Sequence, residues 1–305
     1  MSAQEIGPRI SVITPCLNGA RYIGEAIESV LSQRYPNTEH IVVDGGSTDG
    51  TLEVLRRYSH LKVLHGPDHG LYDALNKALA AAQGEIVGIL NSDDCYAEDA
   101  FSSINEAFQD ESVMALAGEA VFCRETVKSD QSVAARFTPA GTDLLFLSTL
   151  GSPAINAWFF RSSIFAKLGR FDKSYKVAGD REFMLRFAIS GLRYAETTKL
   201  ICRYRMHADS MTFGGNEAIW QTILREHTKM TGIYLHRRDL SKRARELIRR
   251  ARTRDTLSMA VRAMRRHDMV TLVLSSIAGT RHDPVWPIRL ARQVLAALAR
   301  KLRLR

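Results

Sequence analysis

The sequence predicts an α/β fold: a doubly wound, mainly parallel sheet flanked by helices, followed by a basic helical extension at the C-terminal end. Three observations predict it. Short β-rich apolar runs alternate with segments of helical periodicity, each run opens onto a loop rich in Gly, Asp, Asn or Ser, and positive charge is concentrated after residue 235.

The elements follow in order. Ile10 to Thr14 (ISVIT) is a strand, and Tyr22, Ile23, Ala26, Ile27, Val30 and Leu31 recur at helical spacing behind it. HIVVD at 40–44 is a second strand, with the turn-rich GGSTDG leading into a helix at TLEVLRRY. Leu61 to Leu64 gives a third strand, Leu71 to Ala82 a third helix closed by Gly84, and Glu85 to Leu90 a fourth strand. Later, LICRYRM reads as a strand, and Phe183, Leu185 and Phe187 anchor a helix that Asp180 would cap. In WFFRSSIF, Trp158, Phe159 and Phe160 belong either to the core or to an acceptor wall.

A chain of 305 residues with 45% hydrophobic content buries a substantial core. No apolar run reaches the roughly 18 residues of a membrane span. The best candidate, MVTLVLSSIAG at 269–279, is flanked by His267, Asp268 and Arg281. The opening MSAQEIGPRI carries no signal-peptide pattern. Cys16, Cys95, Cys123 and Cys202 stand far apart without CxxC spacing, as expected of reduced cytoplasmic thiols rather than a disulfide frame or zinc site.

The net charge of +9 is unevenly placed. Residues 236–305 hold 19 of the 42 Lys and Arg against 5 of the 33 acids, a net +14, which leaves residues 1–235 at −5. An acidic body argues against nucleic-acid binding, and no aromatic platform or RNA motif accompanies the tail's charge. From Trp286 onward, Leu290, Val294, Leu298 and Leu302 recur every four residues between arginines, and RRDLSKRARELIRRARTR forms a second basic helix. Such a helix either lies in an anionic headgroup layer or packs on the body with a solvated cationic face.

In a parallel sheet, ligands gather at the carboxyl ends of the strands, so the loops there carry the chemistry. DGGSTDG is neither a dinucleotide fingerprint nor a phosphate loop. Gly45, Gly46 and Asp49 suit a tight turn with a helix cap, but Asp44 is left over, and a carboxylate there accepts hydrogen bonds from a nucleobase or ribose. In NSDD, the adjacent Asp93 and Asp94 repel each other. Asp94 could cap a following helix; alternatively, a divalent cation such as Mg²⁺ or Mn²⁺ would offset the repulsion and bridge to a diphosphate. His65 and His69 flank a turn and are expected to face solvent, while a solitary His such as His207 is on its own a surface or packing residue.

The ordered series TPCLNGARYI, VVDGGSTDGTLEVL, GPDHGLYDALNKAL, GEIVGILNSDD and FFRSSIFAKLGRFDKSYKVAGDREFMLR resembles the family 2 glycosyltransferases, the inverting group with the GT-A fold, and within it the bacterial O-antigen and exopolysaccharide branch. The resemblance covers about residues 9–230. It implies a GT-A-type domain at 1–235, with a nucleotide-binding half at about 9–118 and an acceptor half at about 119–235, ahead of the tail at 236–305. It implies further that Pro15 and Asn18 lie in the first nucleotide-contacting loop, that Asp44 recognises the base, and that Tyr72, Asp73 and Asn76 stand beside the donor. Asp93 and Asp94 match the family's metal and ribose motif, with the metal on Asp94 first and Asp93 second; Asn91 stands where many members have Asp. The catalytic base corresponds to Asp180, with Glu182 as a nearby substitute, and His207, with Arg203 or Arg205, would reach the metal or diphosphate.

The implied function is metal-dependent, inverting transfer of a sugar by a hexosyltransferase-type enzyme, UDP-sugar favoured, to a lipid-linked glycan or other hydroxyl. The enzyme would be cytoplasmic, peripheral on the inner face of the cell membrane. Two rivals are a nucleotide-sugar-binding protein without turnover and a sugar nucleotidyltransferase; the second wants a Gly-rich, Arg- and Lys-bearing N-terminal loop that is missing here. A glycosidase would account for paired acids but has no need of the nucleotide-type loops.

Overall fold

The structure, a computed structural model, describes residues 7–124, 132–211, 214–283 and 285–292. It divides into two compact units, Met1–Ser148 with Ser152–Gly214, and Thr149–Gly151 with Gly215–Arg305.

The first unit carries the sheet. Strands β1 (Ile10–Cys16), β2 (Thr38–Asp44), β3 (Lys62–His65) and β4 (Ile86–Ile89) alternate with helices α1 (Ile23–Leu31), α2 (Thr51–Leu55) and α3 (Leu71–Ala81). All four strands pair in parallel, in the order β3-β2-β1-β4. β1 is buried along its whole length, as a central parallel strand covered on both faces must be. Its register with β2 runs from Ile10 opposite Thr38 to Cys16 opposite Asp44, so Asp44 arrives at the carboxyl edge beside the β1 loop.

Beyond β4 the sheet becomes mixed. β5 (Cys95–Tyr96), a short helix α4 (Ile104–Ala107), β6 (Val113–Arg124), β7 (Val133–Phe137), α5 (Leu144–Thr149) and β8 (Trp158–Arg161) follow, then α6 (Ser163–Leu168), α7 (Gly179–Ser190) and β9 (Arg193–Met206). β8 runs antiparallel between β4 and β6, and β9 lies between β6 and β5. Gly88 permits the β4–β8 approach, since a Cβ there would fall 2.5 Å from the Tyr96 hydroxyl and 2.6 Å from the Phe159 ring.

Trp158, Phe159 and Phe160 are fully buried core residues rather than an acceptor wall. Phe160 meets Phe183 and Phe165 edge-on at 5.5 and 6.0 Å, and Phe165 stacks on Phe183 at 5.2 Å. These ring contacts fix the buried face of α7, and with it the position of the acids in its first turn. α7 begins two residues earlier than the sequence suggests, at Gly179, and has no side-chain cap, so Asp180 is inside the first turn instead of capping it. All four cysteines are buried and unpaired.

Among its described residues the second unit includes the helices α8 (Glu217–Leu235), α9 (Lys242–Arg265) and α10 (Met269–His282). Asn216 Oδ1, Ser241 Oγ and Asp268 Oδ1 cap them by accepting from Ala218, Ala244 and Thr271 N–H at 2.9, 3.1 and 3.0 Å. Trp286 is buried over Gly279 and donates to Thr256 Oγ1 at 3.3 Å, so it packs on this unit and does not begin a lipid-facing stripe. Val294, Leu298 and Leu302 of that stripe lie outside the described residues. No described helix is long and apolar enough to cross a membrane.

Candidate active site

The loops after β1 and β2 are stitched together. Asn18, in a left-handed conformation with φ of 52°, donates its N–H to Ser47 Oγ at 2.7 Å and accepts from Thr48 N–H at 2.9 Å. Ala20 N–H donates to Asp49 Oδ2 at 3.0 Å. Pro15 is not in that loop: it is a buried residue of β1 opposite Val43, because pairing with β2 continues to Cys16.

Asp44 is fully buried at the end of β2. Its Oδ2 accepts from Gly46 and Ser47 N–H at 3.1 Å each and lies 2.8 Å from His65 Nδ1. Burial alone would raise its pKa, but the hydrogen bonds from Ser47, His65 and Gly46 outweigh it and hold the carboxyl below its usual range. Oδ1 is buried without a donor among the described residues. A buried, ionised carboxylate with a spare acceptor oxygen is suited to a ligand that brings an N–H or O–H. His65 was expected simply to face solvent; it is half-exposed but bonded to Asp44, a contact that only the β2–β3 register creates.

The two acids of NSDD have separate environments. Asp94 is buried, its Oδ1 accepting from Arg205 N–H at 2.8 Å and its Oδ2 from Asn156 Nδ2 and Asn91 Nδ2 at 2.7 and 3.2 Å. Burial and the Asp93 charge push its pKa well above the ordinary carboxylate range, against the pull of those three donors. Asp93 is more exposed, and its Oδ2 lies 3.0 Å from His207 Nε2. The expected order, metal on Asp94 first, does not suit this geometry, since every contact of Asp94 ties it to the surrounding fold. Asp93 and His207 present one oxygen and one nitrogen side by side. Two ligand atoms at about 2.1 Å from one octahedral cation, on adjacent vertices, would lie about 3.0 Å apart, so this pair fits a shared ion. Among the described residues no cluster of three or more His, Cys, Asp or Glu forms a metal cage, so such an ion would need further oxygens from a substrate.

Arg205 binds the pair to α1. It is buried, donates to Asp93 O at 3.0 Å and Glu25 Oε2 at 2.6 Å, and stacks over Tyr22 at 4.4 Å; Tyr22 also lies 4.8 Å from the His207 ring. Arg205 therefore holds the acidic loop in place. Arg203 instead lines an open groove of about 1010 Å³ beside α1, with Glu25, Tyr58 and Lys199. Tyr22, which reads in the sequence as an ordinary helix position, and Glu25 were missed there as site residues.

Tyr72, Asp73 and Asn76 on α3 spend their polar groups on the segment that leads into α7. The Tyr72 hydroxyl donates to Asp180 Oδ1 at 3.1 Å, Lys173 Nζ donates to Asp73 Oδ1 at 3.2 Å, and Asn76 exchanges two hydrogen bonds with the Phe171 backbone at 2.8 and 3.1 Å. The Tyr72 ring also accounts for Gly179, where a Cβ would sit 2.8 Å from it. Asp180 is half-buried and also accepts from Arg181 N–H at 2.7 Å. Glu182, the expected substitute, is buried and gripped by Arg186 Nε at 2.9 and 3.0 Å, while Arg186 ties down the carbonyls of Leu168, Gly169 and Arg170. A carboxylate so engaged is a structural anchor and a poor base.

The family model for glycosyl transferase family 2 matches residues 11–166, a stretch that includes Asp44, Asp93 and Asp94 at the strand ends just described. The chain belongs to glycosyl transferase family 2. As a glycosyltransferase of that family, it has its α3 and acidic loop within the matched stretch, while Asp180 and His207 lie beyond it. The putative teichuronic acid biosynthesis glycosyltransferase TuaG of Bacillus subtilis is 42% identical over 97 residues, covering 30% of this chain and 38% of TuaG. S. aureus TarS 1–349 in complex with UDP-GlcNAc shares the fold with a TM-score of 0.66 and 18% identity, over 90% of this chain and 81% of that one. The mannosyltransferase PcManGT from Pyrobaculum calidifontis, in complex with GDP-Man and Mn²⁺, does so at 0.61 and 21%, over 96% and 81%. This chain and the two solved structures share the GT-A-like α/β architecture.

Proposed function

We propose that this glycosyltransferase is metal-dependent and inverting, moving a sugar from a nucleoside diphosphate sugar, UDP favoured, to the hydroxyl of a lipid-linked glycan or similar acceptor in O-antigen or exopolysaccharide assembly. The observation that carries the reading is the division of the acidic pair: Asp94 is spent on the fold, and Asp93 is left facing His207 at 3.0 Å. The teichuronic acid relative and the sugar-nucleotide complexes of the two structural neighbours support the substrate class.

In this reading, the buried Oδ1 of Asp44 accepts from the base, and the stitched loops around Asn18 and Ser47 form the wall beside it. Asp93 and His207 would hold the cation, Mg²⁺ or Mn²⁺, which would screen negative charge on the diphosphate. Asp180, oriented by the Tyr72 hydroxyl, takes the proton from the acceptor hydroxyl as its oxygen forms a bond to the anomeric carbon. The bond from that carbon to the diphosphate oxygen breaks with its electron pair on the nucleotide, and a single displacement inverts the centre. Association with the inner face of the cell membrane through the cationic segment 236–305 places the enzyme beside a lipid-linked acceptor.

Thermal-shift measurements with UDP, GDP, CMP and dTDP, each with and without Mn²⁺, test this directly. The expected outcome is stabilisation by UDP that depends on Mn²⁺ and on Asp93. Equal stabilisation by every nucleotide with no cation effect would remove both the donor and the metal assignments.

A further inference from the structure

α10 turns an apolar face to solvent. Met269, Val270, Val273, Leu274 and Ile277 are each 50 to 71% exposed. At about 100° per residue, they occupy one continuous arc of about 140° around the helix. The opposite side is already used: Ser275 is buried and the Trp286 ring lies against Gly279, where a Cβ would meet it at 2.1 Å. The exposed arc is thus surplus to the packing of the described residues of this unit. A contiguous apolar surface of that kind marks an interaction site.

The charges around it indicate the partner. The fourteen residues of α10 contain no acid, and Arg281 is exposed at the end of the same arc, one turn beyond Ile277. Arg265 and Arg292 are exposed nearby in sequence, whereas Asp268 is occupied as the helix cap, Asp283 is paired with Arg289 at 2.9 Å and Glu217 is paired with Arg266 at 3.1 Å. Leu274 also borders a groove of about 390 Å³ walled by Leu224, Met259, Arg225 and Arg262, so apolar surface and positive charge continue together off the helix. A second copy of the chain would bring two segments of net +14 together, and they would repel. An anionic lipid layer offers the opposite charge and an apolar interior in one surface.

We propose that α10 is the face by which this chain sits on anionic lipid, with its five apolar side chains entering the acyl boundary and Arg281 extending to headgroup phosphates. The inference rests on the membrane association put forward above and names the surface responsible. Flotation of the full chain with phosphatidylglycerol vesicles and with phosphatidylcholine vesicles tests it, beside the triple variant Val270→Glu, Val273→Glu, Ile277→Glu. All three positions are exposed, so the variant should melt like the wild type.

The expected result is flotation of the wild type with phosphatidylglycerol only, reduced about 100-fold or more in the variant, because three apolar anchors become charged. Wild-type flotation that the variant retains in full overturns the assignment to α10 and leaves membrane association to another part of 236–305. No wild-type flotation overturns membrane association itself, and the α10 assignment with it. A wild-type dimer that the variant dissociates, without lipid binding, overturns the proposal in favour of a second copy. As an independent readout, an environment-sensitive dye on Ile277→Cys should shift to the blue with phosphatidylglycerol vesicles, and an unchanged spectrum would also overturn it; the four native cysteines are buried.

Discussion

The loops after β1 and β2 and the helix α3 border the same carboxyl edge of the sheet, yet they use their polar side chains differently. In the loops, Asn18, Ser47 and Asp49 bond to neighbouring backbone and leave a buried oxygen, Asp44 Oδ1, without a donor among the described residues. On α3, Tyr72, Asp73 and Asn76 are matched across roughly a hundred residues to Asp180, Lys173 and Phe171. Unspent bonding capacity indicates a ligand, whereas spent capacity indicates positioning. Asp93 and Asp94 differ in the same direction: three donors hold the Asp94 carboxyl, whereas the Asp93 carboxyl contacts His207 at 3.0 Å.

The largest effect expected from this contrast is at Asp180. Asp180→Asn should lower transfer about 1,000-fold while nucleotide binding persists, measured by release of UDP against a thermal shift with UDP. Near-normal turnover would remove Asp180 from the mechanism. Next comes the acidic pair. Asp93→Asn should weaken Mn²⁺-dependent nucleotide binding about 100-fold with little change in melting temperature. Asp94→Asn should instead cost about 1–3 kcal/mol of stability, because its new amide faces the donors of Asn91 and Asn156 inside the fold. Reversed phenotypes would reassign the metal.

A smaller effect is expected at Tyr72. Tyr72→Phe should lower kcat about 10-fold and leave the KM for the donor unchanged, since the lost hydroxyl orients Asp180. A raised donor KM with unchanged kcat would return Tyr72 to the donor site. The last effect bears on stability and not on turnover, and lies in the body of β2 rather than at its end. His40 is buried against Thr14 at 2.9 Å, and burial, with His60 nearby, lowers its pKa to about 3. The unfolded chain binds a proton there below about pH 6.5 and the folded chain does not, so stability falls as pH drops from about 6.5 toward the folded value, by up to about 1.4 kcal/mol per unit. His40→Gln should flatten the acid limb of a plot of melting temperature against pH; an unchanged limb would assign it to other groups.

The family and the strand-end position of Asp44, Asp93 and Asp94 were legible from the sequence because both depend on local order: apolar strands of period two, helices of period 3.6, and turn residues between them. The cationic segment was legible too, since charge is a sum over composition. Other features were set by tertiary structure. His65 reaches Asp44 because β2 and β3 pair in one register, Asp94 is consumed because Asn156 and Arg205 arrive from distant strands and turns, and Glu182 is removed from the candidate bases by Arg186. Whether a carboxylate is free for chemistry depends on which donors surround it in space, and a hydrogen bond of about 3 Å between residues far apart in the chain leaves no periodicity for a sequence to display.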